Sequence, residues 1–210
     1  MLRWFGAHRR DLPWRRTHDP YKILVSEMML QQTQVARVLE FYPRFLKRYP
    51  SIEKLAGARP SRVREAWDGL GYYNRAKYLH QTAKQVAKRH GGVFPRTTEE
   101  LQCLPGIGRY TAGAIASFAY KKPAPILDTN VARVLRRVFG VRGDPKRSAA
   151  RKRLWRLAER LIPTGKVWEF NQGLMDFGAT VCTARAPRCP TCVMREICRY
   201  KTREVKSDPQ

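Results

Sequence analysis

The turn that organises this sequence reads Leu104-Pro105-Gly106-Ile107-Gly108-Arg109-Tyr110-Thr111-Ala112-Gly113. It separates two apolar segments with helical periodicity. A proline followed by two glycines allows a tight turn whose backbone can approach another molecule closely. Because the second helix starts at this turn, its free N–H groups and positive dipole end can hold a phosphate. Gly-x-Gly alone usually marks only a turn. In a strongly basic chain it favours a helix-hairpin-helix, with Gly106, Gly108 and Arg109 as candidate DNA-binding residues.

The charge of the chain points to a polyanionic partner. Among 210 residues, 42 are Lys or Arg and 17 are Asp or Glu, which leaves a formal net charge of +25. Such an excess repels itself in a compact protein, so we favour a folded surface that meets the phosphates of double-stranded DNA. A solvated basic face and an anionic lipid surface are the alternatives. No apolar run approaches the length of a membrane span, and the N-terminus lacks the apolar stretch of a signal peptide. We therefore expect a cytoplasmic protein with no membrane partner.

The apolar periodicity is helical almost throughout and predicts an all-α fold. One set of apolar residues recurs at spacings that would align it on a single helical face: Leu24, Met28, Val35, Leu39 and Tyr42. Short breaks rich in glycine and proline separate the periodic segments, as in a compact helical bundle.

Two sequence signals mark where helices begin. Thr97 and Glu100 have the spacing of a capping box. Asp144 and Pro145 supply an N-cap and the proline that is favoured at the first helical position. The polar segment after Cys198 is expected to be frayed.

Four of the five cysteines fall in one short segment. Cys182, Cys189, Cys192 and Cys198 have the spacing C-x6-C-x2-C-x5-C. Four thiolates so close in sequence can bind Zn²⁺ or a [4Fe–4S] cluster, and the spacing alone does not choose between them. The fifth, Cys103, is expected to be a buried structural thiol.

An aspartate follows directly after an apolar run, in Ile126-Leu127-Asp128-Thr129-Asn130. At the start of a helix such a residue is most often an N-cap. A partly buried carboxylate at a helix start that faces DNA could instead stabilise positive charge developing on a sugar. The residues alone leave both interpretations open.

In combination, the hairpin, Asp128 and the cysteines resemble the helix-hairpin-helix glycosylase superfamily that includes endonuclease III and MutY. The resemblance runs from about Arg10 to Cys198, which is nearly the whole chain. Three stretches are most similar to the MutY branch: Leu12-Pro13-Trp14, Ser26-Glu27-Met28-Met29-Leu30-Gln31-Gln32-Thr33-Gln34-Val35 and Gly69-Leu70-Gly71-Tyr72-Tyr73. The resemblance implies a glycosylase of base excision repair that flips a mispaired base out of duplex DNA and hydrolyses its N-glycosidic bond.

The resemblance also implies a two-lobed architecture. One lobe, residues 21–133, is expected to be a six-helix bundle that contains the hairpin. The other is expected to join residues 1–20 to residues 134–210. Its cysteine spacing is the one found in endonuclease III and MutY, so the loop 182–198 is expected to hold a [4Fe–4S] cluster rather than zinc. DNA is expected to lie across the cleft between the lobes.

Four residues match catalytic positions of the superfamily: Glu27, Asp128, Tyr110 and Asn130. Glu27 matches the glutamate that protonates the base, although taken alone it would be a surface carboxylate on an amphipathic helix. Asp128 is expected to face Glu27 in the cleft and to stay ionised, stabilising the oxocarbenium-like sugar or capturing it covalently. Tyr110 stands where bifunctional members carry the lysine that forms a Schiff base. Since tyrosine cannot form an imine, we expect a monofunctional enzyme.

Further matches concern the DNA and the extruded base. Gln31, Gln32 and Tyr72 match DNA-binding residues, and the last two match wedges that enter the base stack where the target leaves. The residues that match positions lining the base pocket are Arg10, Trp14, Leu30 and Asp176. Trp14 and Leu30, taken singly, are better explained as core residues.

The identity of the excised base is the open question. Thr129 stands where adenine-removing members commonly have glycine, and residues 171–177 resemble a sister branch that removes thymine or uracil mispaired with guanine. That branch also carries tyrosine at the position of Tyr110. The MutY-like stretches favour adenine opposite guanine or 8-oxoguanine, with thymine or uracil opposite guanine as the alternative. Typical MutY proteins continue into a domain that reads 8-oxoguanine, and this sequence ends at Gln210 without it.

A different class of protein also fits part of the pattern. A non-catalytic, metal-stabilised DNA-binding module would explain the charge, the hairpin and the cysteines equally well. It would not explain why Glu27 and Asp128 both fall on catalytic positions. We expect a monomer that acts at the nucleoid of a prokaryotic cell.

Overall fold

The structure is a computed structural model, and it describes residues 1–144 and 147–200. Within these ranges helices are the only regular elements, so the all-α prediction is confirmed. None of these helices has the length and apolar character needed to cross a membrane. In chain order they are α1 Leu2–His8, a short 3-10 helix Pro13–Arg15, α2 Pro20–Leu30, α3 Val35–Arg48, α4 Ile52–Ala56, α5 Pro60–Ala66, α6 Asn74–His90, α7 Thr98–Gln102, α8 Arg109–Phe118, α9 Thr129–Phe139, α10 Ser148–Arg160 and α11 Val167–Thr180.

The chain forms two compact units. The first consists of residues 11–120, and the second joins residues 1–10 to the chain from Lys121 onward. The expected lobe boundaries, 21 and 133, differ from these. The difference has a packing reason, because Trp14 lies edge-on against Tyr42 of α3, and α9 packs on α11.

The first unit is built around α2. The residues of α2 from Ile23 to Met29 are all buried, and the helix packs against α3, α6 and α8. A helix that is covered on every side belongs to the interior of its unit. Asp19 caps its N-terminus by accepting hydrogen bonds from the backbone N–H groups of Tyr21 and Lys22, and a proline occupies the first turn.

The second unit is organised by α9 and α11. These two helices pack against each other, α10 packs on α9, and α1 packs on α11. A buried stripe of Val131, Leu135 and Val138 runs along α9 at helical spacing. The Trp4 ring of α1 meets the Phe177 ring of α11 edge-on, with 5.1 Å between ring centroids.

The five apolar residues that were expected to share one helical face do not share a helix. The chain leaves the helical conformation after Leu30 and re-enters it at Val35, because Gln32 between them has a φ of 56°. Leu39, one of the five, is 39% exposed on α3. That prediction is wrong.

The two predicted helix starts have different outcomes. The capping box is confirmed, since the Thr97 and Glu100 side chains each bond the other's backbone N–H. The described part of α10 begins with Arg147 as its N-cap rather than at Asp144. The predictions for Pro145 and for a frayed terminal segment concern residues 145–146 and 201–210, which lie outside the described residues.

Candidate active site

The predicted hairpin connects α7 to α8 in the first unit, and Gly108 is the N-cap of α8. Gly106 has a φ of 73°, and a Cβ added there would lie 2.5 Å from Cβ of Tyr78, so only glycine fits. The Thr82 hydroxyl donates a 2.7 Å hydrogen bond to the carbonyl oxygen of Pro105 and ties the turn to α6. Gly108 is exposed, and a Cβ added there would meet no atom within 4 Å. The N-terminus of α8 is therefore accessible to a phosphate.

The residues at the start of α8 follow the hairpin directly. Arg109 is exposed at the first helical position, and Tyr110 is partly exposed beside it. The expectation for Cys103 is wrong, because this residue is exposed at the C-terminal end of α7. Cys103 is the C-cap of α7, which has only five residues.

Glu27 lies inside the first unit. It is 3% exposed and occupies the covered stretch of α2 between Ser26 and Met28. The interpretation of Glu27 as an ordinary surface carboxylate is therefore wrong. The Glu27 carboxyl is therefore withdrawn from bulk water inside the first unit.

Asp128 lies in the second unit and caps α9. Its carboxylate accepts a 2.6 Å hydrogen bond from the backbone N–H of Val131 and a 3.0 Å bond from Nδ2 of Asn130. Burial raises the pKa of Asp128 above its usual value, while the hydrogen bonds from Val131 and Asn130 and the charge of Arg133 act in the opposite direction. The N-cap interpretation is confirmed as a contact. The raised pKa means that desolvation outweighs the donors around the carboxylate, and the ionised state of Asp128 beside the sugar stays a prediction.

A chain of side-chain contacts runs from Asp128 toward the cysteine segment. Asn130 binds the carboxylate, and its Oδ1 accepts a 2.7 Å hydrogen bond from Nη2 of Arg133. Arg133 also donates to the carbonyl oxygens of Gly178 and Cys182, at 2.6 and 2.8 Å. Sequence reasoning missed Arg133, because in a chain with 42 basic residues nothing marks this one as a partner of Asn130.

Gly178 of α11 is a second residue that the sequence analysis missed. A Cβ added to it would lie 2.7 Å from Cβ and 3.0 Å from the backbone oxygen of Asn130. The absence of a side chain at this position allows α11 to approach α9 closely. The only sequence signal was a glycine inside a helical segment, which often has a packing reason.

The two residues that match wedges lie in loops of the first unit. Gln32 is exposed with a φ of 56°, and Tyr72 is 61% exposed with a φ of 47°. Both backbones are in the left-handed region, which L-residues rarely adopt. Gln31 and Leu30, at the C-terminal end of α2, are partly exposed.

The residues matched to a base pocket include a direct ion pair. Nε of Arg10 donates a 2.6 Å hydrogen bond to Asp176, and the backbone N–H of Arg10 donates a second bond, at 3.1 Å. Asp176 is fully buried. Trp14 is 6% exposed, as a core residue would be. Whether Arg10, Trp14, Leu30 and Asp176 contact a base stays a prediction.

The four clustered cysteines lie near one another after α11. Burial raises the pKa of Cys192, a backbone N–H bond from Met194 lowers it, and the other three thiols raise it further. Nη1 of Arg137 lies 3.5 Å from Sγ of Cys182. Within the described residues, no group of three or more His, Cys, Asp or Glu side chains is arranged to hold a single metal ion.

An all-helical chain organised by such a hairpin is a helix-hairpin-helix protein. Residues 25–160 match one such family, described as HhH-GPD superfamily base excision DNA repair protein. The chain belongs to this superfamily, and the resemblance seen in its sequence is confirmed.

The similar proteins are named for two different bases, adenine and thymine. Adenine DNA glycosylase of Homo sapiens is 43% identical over 97% of the chain, which spans 39% of the length of that protein. Thymine-DNA glycosylase of Aeropyrum pernix is 40% identical, over 95% of the chain and 92% of its own length. The solved structure of a thermostable thymine-DNA glycosylase is 38% identical, with a TM-score of 0.88 and coverage of 96% of this chain and 93% of that one. The chain spans about two fifths of the mammalian relatives that it matches.

Proposed function

We propose that the chain is a mismatch-specific DNA N-glycosylase that removes adenine opposite guanine or 8-oxoguanine. The observation that carries this proposal is the 43% sequence identity to human adenine DNA glycosylase, which extends over 97% of the chain. The buried Glu27 supports it, because adenine is a poor leaving group that departs readily only after protonation. The net charge of +25 and the accessible N-terminus of α8 support double-stranded DNA as the partner.

Glu27 acts as the general acid in this proposal. It transfers its proton to a ring nitrogen of the extruded base, the glycosidic bond breaks, and the bonding electron pair leaves with the base. Positive charge develops at the sugar, where the Asp128 carboxylate stabilises it until water forms a bond to the sugar carbon and releases a proton to solvent. Burial opposes the ionised form of Asp128, and the arriving positive charge favours it. Asn130, held by Arg133, orients the Asp128 carboxylate.

Gln32 and Tyr72 are proposed to enter the base stack, and Gln31, Gly106, Gly108 and Arg109 to contact the DNA around it. The exposure of both wedge residues supports this assignment. Arg10, Trp14, Leu30 and Asp176 are proposed to shape the base pocket. The same proposal has the protein act as a monomer at the nucleoid, in the cytoplasm of a prokaryotic cell.

A second candidate function is the removal of thymine or uracil opposite guanine. The specific observation in its favour is coverage, since the Aeropyrum pernix thymine-DNA glycosylase matches over nearly the full length of both chains. Excision from duplexes that contain A·8-oxoG, A·G, T·G or U·G discriminates the two. We expect release of adenine from the first two. Rapid release of thymine with no release of adenine would replace the first proposal by the second.

Cys182, Cys189, Cys192 and Cys198 are proposed to hold a [4Fe–4S] cluster, which would fix the fold of the loop 182–198. Their chemistry supports it, because a cluster binds one thiolate at each of its four irons, and the loop 182–198 supplies four thiols. Within the described residues these thiols do not form a site for a single ion. We expect broad visible absorbance and iron in the purified protein; zinc without that absorbance would contradict the assignment.

The proposed enzyme is monofunctional. Tyr110 has no amine with which to attack the sugar, so the product should be an intact abasic site. Borohydride reduction during the reaction should trap little covalent protein–DNA adduct. The matched test is Tyr110→Lys, which should raise the yield of trapped adduct. Efficient trapping by the unmodified protein would refute monofunctional chemistry.

A further inference from the structure

One arginine of the first unit, Arg75, has a buried side chain. Arg75, in the first turn of α6, is 6% exposed. Its burial carries a cost, because desolvation lowers the pKa of the guanidinium. A buried cation that only filled space would be replaced at little cost by an apolar residue. The hydrogen bonds of the guanidinium are what an apolar residue could not replace.

The guanidinium of Arg75 is surrounded by backbone oxygens. The acceptors around Nη1 are the carbonyl oxygens of Met28 at 3.0 Å, Met29 at 2.8 Å and Gln31, and Oγ1 of Thr33 at 3.1 Å. Nη1 has two hydrogens, so these bonds are shared. The acceptors around Nη2 are the carbonyl oxygens of Leu70 and Gly71, both at 3.0 Å. One side chain thus joins the loops 31–34 and 67–73, which we call the wedge loops.

The acceptors include one residue next to each proposed wedge. Gln31 directly precedes Gln32, and Gly71 directly precedes Tyr72. Gln32 and Tyr72 are non-glycine residues with positive φ, so their backbones persist only where surrounding contacts hold them. Cζ of Arg75 also lies 5.4 Å from the centroid of the Tyr72 ring.

We propose that Arg75 is a positioning residue that sets the two wedge loops in one shared arrangement, so that Gln32 and Tyr72 enter the base stack together. This inference rests on the proposed function. It assigns Arg75 no contact with DNA and no part in bond cleavage. Arginine suits the task because its planar fork reaches both loops at once, which the single ammonium of lysine cannot do.

The first experiment measures base extrusion without chemistry. A duplex carries 2-aminopurine opposite guanine at the target position, and the protein carries Glu27→Gln so that no bond is cut. Fluorescence should rise when the protein binds and unstacks the probe. Adding Arg75→Lys should reduce the rise at saturating protein about 10-fold, since misplacing positioning groups by about 1 Å costs up to about 100-fold. Tyr21→Phe removes a buried 2.7 Å bond to the Tyr49 carbonyl at the opposite end of α2 and serves as the matched control.

The second experiment compares excision from two substrates. In one, the target base is mispaired in duplex; in the other, it lies opposite an abasic analogue and needs less unstacking. Arg75→Lys should slow single-turnover excision at least about 10-fold on the mispaired substrate. The loss on the unpaired substrate should be less than about 3-fold, because that base requires little help from the wedges.

Equal losses on both substrates, or an unchanged fluorescence rise, would overturn the proposal and leave Arg75 a purely structural residue. A protein without Arg75→Lys that binds the duplex but produces no fluorescence rise would overturn it as well. If Arg75→Lys fails to fold, Thr33→Val, which removes the one side-chain acceptor of the Arg75 guanidinium, should lower the fluorescence rise in its place. Failure of the proposed function is separate, since it would appear as no excision by the unmodified protein from any duplex.

Discussion

Two carboxyl groups in this protein occupy opposite kinds of environment. Glu27 sits in the middle of a helix that its unit covers on all sides. Asp128 sits at the first turn of α9, where a backbone N–H group, an amide and a nearby arginine surround it. The same functional group is thus placed once inside a covered helix and once at a helix start where backbone and side-chain donors contact it. Pairs of acids in such contrasting settings take different roles in catalysis.

The donors around Asp128 do not fully compensate for its burial. Burial still raises the pKa of Asp128 despite the donors around it. A site that makes an ionised group costly before the substrate arrives can relieve that cost when positive charge develops beside it. We therefore expect Asp128 to reduce the stability of the free protein. We expect Glu27 to contribute to excision as a proton donor.

The largest expected effect concerns the proton of Glu27. Glu27→Gln keeps the size of the side chain and removes its exchangeable acid, so single-turnover excision should fall by about 10²–10⁴-fold. Affinity for mismatched DNA should stay within about 3-fold, because phosphate contacts supply most of that affinity. Quenched-flow excision and fluorescence anisotropy measure the two quantities. Full activity in this variant would refute the assignment of Glu27 as the general acid.

An intermediate effect is expected at the close contact behind Asn130. Gly178→Ala places a Cβ 2.7 Å from Cβ of Asn130, so α9 must shift, at a cost of about 1–3 kcal/mol of unfolding free energy. A displacement of Asn130 should also misplace Asp128 and slow excision about 10- to 100-fold. Gly6→Ala is the control in the same unit, since its Cβ meets no atom within 4 Å. Equal behaviour of the two variants would show that Asn130 does not orient the carboxylate.

The smallest expected effect concerns the contribution of Asp128 to the free energy of unfolding. Because its pKa is raised above 3.8, the native state retains a proton over a pH range in which the unfolded chain has released it. The contribution of this residue to stability therefore falls as pH rises through that range. An asparagine side chain in its place cannot ionise and caps equally well. Asp128→Asn should therefore become more stable than the unmodified protein as pH rises from about 3 to about 7.

Urea unfolding at several pH values measures this difference. Asp19→Asn makes the same exchange at the N-cap of α2 and reports the effect of the capping exchange itself. Asp128→Asn should also lose excision activity, which gives the opposite signs for function and stability that are typical of active-site residues. A stability difference that shrinks as pH rises would show that the donors outweigh burial at Asp128.

Much of the fold and part of the site could be predicted from sequence because they depend on neighbours along the chain. The hairpin at Gly106 and the capping box at Thr97 are local structures, and the structure confirms both. Asp128 was recognised as an N-cap for the same reason. The helical face that combined Leu24 with Leu39 failed, because periodicity cannot reveal a loop between two helices in phase.

Residue types and short intervals along the chain were enough to predict the all-helical class, the turn at Gly106 and Gly108, the cysteine spacing and the excess of positive charge. Which side chains are withdrawn from water depends on how the helices pack. Glu27 is buried because three helices cover α2, whereas Cys103 at the end of α7 is exposed. Arg75 and Arg133 acquired their contacts in the same way, because burial and bonding depend on distant segments brought together by packing.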